Sequence, residues 1–196
     1  MIHHLRGRLV EKTPTHLVVE CSGVGYQLEI SLHTYSQLSE SEEQLLYTHV
    51  QIKEDSHTLF GFLTIFERSI FRLLLSVSGI GASIARTMLS SLTPEEVVEA
   101  IASEQVHTIQ SVKGIGAKTA QRLILELKDK VLGLDGAEDS IKSGGLLKNS
   151  NADQAMAALE VLGFSRKAIQ KTVEKLASSN AEMSVEDLIK NTLNLL

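Results

Sequence analysis

The chain has 196 residues, 43% of them hydrophobic, a formal net charge of −5 and a single cysteine. The length allows one large domain or two to three small ones, the lone Cys21 excludes an internal disulfide, and the negative charge argues against a simple polycation that coats DNA. No apolar run approaches the ~20 residues of a membrane-spanning helix and the first residues lack a signal-peptide core, so we expect a soluble, cytoplasmic protein without a membrane partner.

The charge is distributed unevenly along the chain. Residues 1–64 hold 4 Lys/Arg and 8 Asp/Glu, residues 65–132 hold 8 and 7, and residues 133–196 hold 7 and 9. Only the middle segment is not acidic, which is consistent with contact between this segment and a polyanion.

Residues 1–64 have the pattern of short β-strands. Apolar and polar residues alternate in residues 26–30 and 50–52, and further strand-like runs lie at 8–10 and 17–19. About five short strands in some sixty residues predict a small closed barrel, with an OB-type barrel the leading candidate. The turn after residue 52 presents two adjacent carboxylates, Glu54 and Asp55.

From Thr64 onward the apolar period becomes helical. Thr64 and Glu67 form one predicted capping box, and Thr93 and Glu96 form a second, with Pro94 at the first helical position. The pattern predicts helices at about residues 65–76, 82–90, 94–102, 104–110 and 117–131.

A short glycine motif occurs twice in this helical region. Val-Ser-Gly-Ile-Gly at residues 77–81 returns as Val-Lys-Gly-Ile-Gly at 112–116, 35 residues further on, and Ala-x-x-Ala follows each copy. Glycines in a turn between helices permit positive φ, and they leave main-chain N–H groups pointing outward at the start of the next helix. With the helix dipole, each turn forms a cradle for a phosphate. Two cradles predict a grip on a phosphodiester backbone, with Arg86, Lys118 and Arg122 near enough to reach flanking phosphates.

The last third predicts a linker followed by a small helical bundle. Residues 133–151 combine glycines with Ser, Asp and Asn, a composition typical of flexible tethers. Helices are expected at residues 152–162, 165–176 and 184–196, with Gly163 as a C-terminal cap and Ser165 and Ser184 as N-caps. Around Gly163, the apolar Leu159, Leu162 and Phe164 belong either to the bundle core or to an exposed docking patch.

The sequence contains no recognisable catalytic or metal site. The seven histidines are scattered, and the adjacent His3 and His4 are expected to point in opposite directions on a strand. There is also no Walker motif, no Ser/His/Asp constellation and no cysteine nucleophile. We therefore expect a non-catalytic protein without cofactor or metal.

Together these features resemble the RuvA family, the Holliday junction-binding subunits of the bacterial RuvAB branch-migration machine. The resemblance covers the whole chain, from Leu5-Arg6-Gly7 and Gly23-Val24-Gly25-Tyr26 through Glu54-Asp55 to the paired glycine motifs. It implies four segments: an OB-fold barrel (1–64), a tandem helix-hairpin-helix domain (65–132), a flexible linker (133–151) and a three-helix, UBA-like bundle (152–196). The implied fold class is thus α+β and multidomain.

The resemblance also implies a function. It implies a homotetramer, or an octamer, that holds a four-way DNA junction open and square-planar during recombination and repair. It implies that the C-terminal bundle docks the hexameric RuvB motor, which hydrolyses ATP, and that the RuvC resolvase joins the larger complex.

Site residues follow from the same resemblance. Glu54 and Asp55 would form an acidic pin at the centre of the tetramer, and Leu159, Leu162 and Phe164 would contact the motor. Relatives often carry a Lys after the first hairpin, where this chain has Ser83-Ile84. The residues implied to hold the DNA backbone are Gly79, Ile80, Gly81, Ala82 and Arg86 around the first motif, and Gly114, Ile115, Gly116, Ala117, Lys118, Thr119 and Arg122 around the second.

Two other functions remain open from the residues alone. A DNA glycosylase or nuclease can also use helix-hairpin-helix units, but it needs a catalytic carboxylate or lysine beside a hairpin. A scaffold that does not bind DNA, and acts through its C-terminal bundle, is the second alternative.

Overall fold

The computed structural model describes residues 1–39, 41–132, 151–179 and 183–195. The chain forms two compact units, Met1–Glu138 and Asp139–Leu196. Most of the predicted linker (133–151) lies outside the described residues.

The first unit begins with a closed five-stranded barrel in the order β1-β2-β3-β5-β4. All neighbouring strands are antiparallel except β3 and β5, which pair in parallel at Glu29 and Phe60. Side chains of alternate strand residues fill the interior, among them the fully buried Leu17, Leu28 and Leu46. The predicted OB-type barrel is confirmed. Its strands are β1 (His4–Lys12), β2 (His16–Cys21), β3 (Val24–Glu29), β4 (Glu43–Ile52) and β5 (His57–Phe62).

A short helix that the sequence analysis did not predict, α1 (Leu32–Gln37), lies between β3 and β4. Ser31 caps its N-terminus, because its side chain accepts a hydrogen bond from the Thr34 N–H. With only six residues, α1 is too short to show a helical apolar period.

Between the barrel and residue 132, five helices share one apolar core. Phe71 of α2 lies at the junction with the barrel, with its ring centroid 5.1 Å from that of Phe60 and 4.9 Å from that of Phe62. The predicted helices of this region are all present. They are α2 (Ile65–Leu75), α3 (Ala82–Ser91), α4 (Pro94–Ala102), α5 (Val106–Gln110) and α6 (Ala117–Leu132).

The two predicted capping boxes have different outcomes. The box at Thr93 and Glu96 is complete, with Pro94 at the start of α4. Thr64 caps α2 as predicted, but the Glu67 carboxylate accepts hydrogen bonds from Ser31, the N-cap of α1, at 2.7 Å and from Thr34 of α1 at 2.8 Å. The other half of the predicted box, a hydrogen bond from the Thr64 N–H to the Glu67 side chain, was therefore wrong. The hydroxyls of Ser31 and Thr34, which follow strand β3, bind this carboxylate instead.

The described residues of the second unit form three helices around a small core of Ala155, Leu159, Ile169, Val173 and Leu188. Gly163 has a φ of +97°, as expected for a residue that ends a helix, and the Ser184 side chain accepts from the Asp187 N–H. The predicted three-helix bundle is confirmed as α7 (Asn151–Val161), α8 (Arg166–Ser179) and α9 (Val185–Leu195).

Candidate nucleic-acid interface

The two glycine motifs form the same turn. Gly79 has a φ of +92° and Gly114 a φ of +94°, a conformation that favours glycine over any residue with a Cβ. In each turn the isoleucine N–H donates to the carbonyl of the preceding valine at 3.1 Å, from Ile80 in the first and Ile115 in the second. The repeat in sequence is therefore a repeat in backbone geometry.

Each turn buries its isoleucine and exposes its glycines. Ile80 and Ile115 both retain only 5% of their surface and belong to the helical core. The glycines on either side are exposed. Because the apolar side chain anchors the turn from inside, the main chain at the glycines is accessible on the outer surface, next to the exposed side chains of Ser78 and Lys113.

The helix that follows each turn starts without a side-chain cap. Gly81 occupies the N-cap position of α3 and makes no side-chain hydrogen bond, whereas Ser31, Thr64 and Thr93 cap α1, α2 and α4. The first backbone bonds of α3 and α6 run from Ala85 to the Gly81 carbonyl and from the corresponding Ala120 to the carbonyl of Gly116. The three N–H groups that precede each of these bonds have no partner within their own helix, and the helix dipole makes them suited to an anion.

Gly81 and Gly116 are not required by the fold itself. Neither has a positive φ, and a Cβ built on either one meets no atom within 4 Å. A side chain would fit in the free protein, so the space in front of these two glycines is open to a ligand that approaches the backbone closely.

The two hairpins contact each other. A Cβ placed on Gly114 would lie 3.6 Å from Cγ1 of Ile84, which comes from α3. The Arg122 guanidinium, on α6, donates to the carbonyl of Ser78 in the first turn at 3.5 Å. The two candidate phosphate cradles therefore belong to one packed unit.

The predicted basic side chains are placed differently. Lys118 and Arg122 are exposed near the start of α6, Thr119 is half-buried beside them, and Ala117 is exposed while Ala82 is buried. Arg86, in contrast, forms an ion pair with Glu29 at the end of β3 and donates to the Thr15 carbonyl at 3.2 Å. These barrel partners lie far from Arg86 in sequence, so no local motif could have identified them.

Glu54 and Asp55 lie in the turn between β4 and β5, where both are exposed. The Lys53 N–H donates to the Ser56 carbonyl at 2.8 Å and closes the turn. The predicted position of the carboxylates at a hairpin tip is therefore correct, and their role as a pin stays a prediction.

The three predicted docking residues of the second unit differ in exposure. Leu159 is fully buried in the bundle core, Leu162 is 60% exposed, and Phe164 packs partly against the core. As a core residue, Leu159 cannot touch a partner while the bundle is folded. Direct docking is thus restricted to Leu162 and Phe164, for which it stays a prediction.

Among the described residues, no group of three or more His, Cys, Asp or Glu side chains could hold a metal ion. The prediction that His3 and His4 point apart was wrong, because their Nδ1 atoms lie 3.0 Å from each other and β1 begins only at His4. The Arg68 guanidinium donates a hydrogen bond to the backbone carbonyl of His3 at 2.9 Å. Local desolvation, followed by the charge of Arg68, lowers the pKa of His3.

None of the helices in the described ranges is both long and apolar enough to cross a membrane.

Comparison with known proteins matches three consecutive parts of the chain to family models. Residues 1–61 match the RuvA N terminal domain, residues 71–129 the SAM-like helix-hairpin-helix tandem, and residues 150–196 the RuvA C-terminal domain. The chain is 58% identical over 196 residues to a protein of Christiangramia forsetii, and the alignment covers all of both chains. It is 54% identical over 194 residues to a protein of Flavobacterium psychrophilum, with 98% of each chain covered. Both relatives are named Holliday junction branch migration complex subunit RuvA.

Proposed function

The chain belongs to the RuvA family, and on this premise we propose that it binds four-way junction DNA as the non-catalytic subunit of a branch-migration complex. The named function of its relatives and the geometry of its own hairpins support the same conclusion independently.

The observation that carries the proposal is the first turn of α3 and of α6. These turns follow Gly81 and Gly116, which have no side chain to cap them. Each offers several outward N–H groups and open space in front of them. Main-chain donors of this kind bind phosphate oxygens regardless of base sequence. Lys118, Thr119 and Arg122 add side-chain donors at the second cradle, which supports contacts to neighbouring phosphates.

We further propose that four copies assemble around the junction centre, alone or as two stacked tetramers. Symmetric assembly multiplies two cradles per chain into eight, so a chain of net charge −5 still gains enough phosphate contacts for affinity. Glu54 and Asp55 then stand at the strand crossover, where their negative charge repels phosphates and keeps the junction open and square-planar.

The C-terminal bundle is proposed to dock the RuvB motor through Leu162 and Phe164. An exposed leucine on a small bundle that has its own core supports a docking surface rather than a packing role. ATP hydrolysis then lies on the motor, and the RuvC resolvase acts on the junction that this chain holds open.

The test is a competition between DNA shapes. The full chain is titrated with a labelled four-way junction, and unlabelled junction or linear duplex of equal length competes at moderate salt. We expect the junction to compete about tenfold better or more, equivalent to about 1.4 kcal/mol. Equal competition by linear duplex, or a strictly monomeric mass in the presence of junction DNA, contradicts the proposal.

A further inference from the structure

The Arg86 guanidinium is bound to the barrel, although it lies on the helix that follows the first cradle. It pairs with the Glu29 carboxylate and donates to the Thr15 carbonyl at 3.2 Å. The two side chains retain only 29% and 28% of their surface, so solvent and salt screen this ion pair less than a fully exposed one.

Ser90 provides a second link on the same face of α3, one helical turn after Arg86. Its hydroxyl accepts a hydrogen bond from the Leu32 N–H at 3.1 Å and donates to the Arg86 carbonyl at 2.8 Å. Arg86 and Ser90 thus attach α3 to the end of β3 and to the start of α1.

From α3, a different side chain contacts the second hairpin. Ile84 lies against Gly114, as the 3.6 Å approach to a built Cβ shows. Helix α3 therefore contacts both the barrel and the second hairpin, and its own first turn forms part of the first cradle.

The charges around Arg86 bear on whether this residue binds phosphate or positions the first hairpin. It is the only basic residue among residues 77–91, and Glu29 already neutralises it. A carboxylate this close cancels the charge of the guanidinium, so the pair as a whole attracts a phosphate less strongly than a free arginine would. The first cradle accordingly depends on its main-chain N–H groups.

We propose that Arg86 is a positioning residue for DNA shape: it sets the orientation of the first hairpin relative to the barrel and does not bind phosphate. This inference rests on the proposed junction binding. A junction presents several arms at set angles around one centre, so it requires the cradles and the acidic turn in a defined arrangement. A linear duplex that meets one pair of hairpins does not require that arrangement.

The two roles predict opposite results for one pair of substitutions in the full chain. Arg86→Gln removes a positive charge and Glu29→Gln removes a negative one. If Arg86 positions the hairpin, both variants bind the junction about tenfold more weakly, both keep the parent's duplex affinity, and neither changes the salt dependence of junction binding. The exchanged double variant Arg86→Glu/Glu29→Arg, with the pair reversed, restores junction affinity to within about threefold of the parent, whereas a phosphate contact would turn into repulsion.

Arg8 and Glu20 offer a matched control, since they form an exposed ion pair on the barrel at 3.3 Å. Arg8→Gln and Glu20→Gln make the same two charge changes without touching α3, and they should leave the preference for junction over duplex unchanged. Circular dichroism verifies folding of each variant. Faster hydrogen exchange at the Leu32 amide, in the absence of DNA, reports loosening of the contact between α3 and the barrel.

The inference is overturned if Arg86→Gln weakens junction and duplex binding together with a shallower salt dependence, while Glu29→Gln binds equally or more tightly. Unchanged junction affinity in both variants, or no recovery in the exchanged pair, also overturns it. A parent chain that shows no preference for the junction contradicts the proposed function itself, which distinguishes the two failures.

Discussion

Nη1 of Arg122 lies 3.5 Å from the carbonyl oxygen of Ser78, so a side chain of the second hairpin reaches the turn of the first. This contact places a positive charge of α6 beside the turn of the first hairpin.

Serine at Gly81 or Gly116 should stabilise the fold and weaken DNA binding. The serine hydroxyl would cap the free N–H groups of α3 or α6 and would raise the free energy of unfolding by about 0.3 kcal/mol. The same hydroxyl would occupy the phosphate position, so junction affinity should fall about tenfold or more. Thermal unfolding and a junction titration measure the two effects. Gly25→Ser, at an exposed glycine of the barrel with ordinary room for a Cβ, should change neither.

Neutral substitutions of Lys118 and Arg122 should reduce the salt dependence of junction binding. Each phosphate contact that is lost lowers the slope of log K against log salt by about 0.9. Lys118→Gln and Arg122→Gln are compared with Lys130→Gln, at the opposite end of α6. A slope that falls equally for Lys130→Gln would mean that long-range charge, rather than contact, determines the effect.

Reversing the charge of the acidic turn should change branch migration without weakening junction binding. Glu54→Lys with Asp55→Lys adds positive charge where we propose that the strands cross, so junction binding should be retained or tightened while branch migration by the assembled complex changes. The exposed neighbours Glu42 and Glu43, changed to Lys together, reproduce the charge difference elsewhere on the barrel. Branch migration that is unaltered by the first pair would remove the role assigned to Glu54 and Asp55.

The buried Glu67 should make stability depend on pH. Burial raises the pKa of the Glu67 carboxyl above its ordinary value of 4.5, against the opposing effect of hydrogen bonds from Ser31 and Thr34. The folded state thus favours the protonated form, whose stabilising contribution is complete below about pH 4.5 and is lost as pH rises through the raised value. Denaturant unfolding of the parent and of Glu67→Gln should show a stability difference that shifts in favour of the variant as pH rises from 4.5 to 7. Glu126→Gln, at an exposed site on α6, is the control. A difference independent of pH would show that Glu67 does not titrate in this range.

Alanine substitutions of Leu159 and Leu162 should have different effects, the first on the stability of the bundle and the second on docking. Leu159→Ala removes a fully buried side chain and should destabilise the bundle by about 2–5 kcal/mol. Leu162→Ala should change stability by less than about 0.5 kcal/mol and still reduce stimulation of the motor's ATPase. Deletion of residues 152–196 should abolish that stimulation and spare junction binding. Stimulation that survives the deletion would assign motor contact to another part of the chain.

Much of the architecture could be predicted from local patterns. The helices of the middle region lie close to their predicted positions, and the capping box at Thr93 and Glu96 forms completely, because capping and apolar periodicity act over a few residues. The paired turns at Gly79 and Gly114 are similarly local, since positive φ selects glycine wherever it occurs.

Local patterns could not identify partners that come from elsewhere in the chain. Glu67 was expected to complete its own cap, yet it accepts hydrogen bonds from Ser31, 36 residues away. The pairing of Arg86 with Glu29 spans 57 residues, and Leu159, which the sequence left open between the core and an exposed patch, lies in the core.

Backbone conformation and helix ends depend on steric and hydrogen-bonding preferences within one or two turns, so the order of residues is sufficient to specify the twin cradles. A charged or apolar side chain instead interacts with the groups that tertiary packing places within a few ångströms of it. The sequence separation between two residues does not determine whether they meet, because the cost of loop closure changes only slowly with loop length. The cradles of this chain are therefore encoded locally, whereas the attachment of α3 to the barrel arises only when the two regions pack against each other.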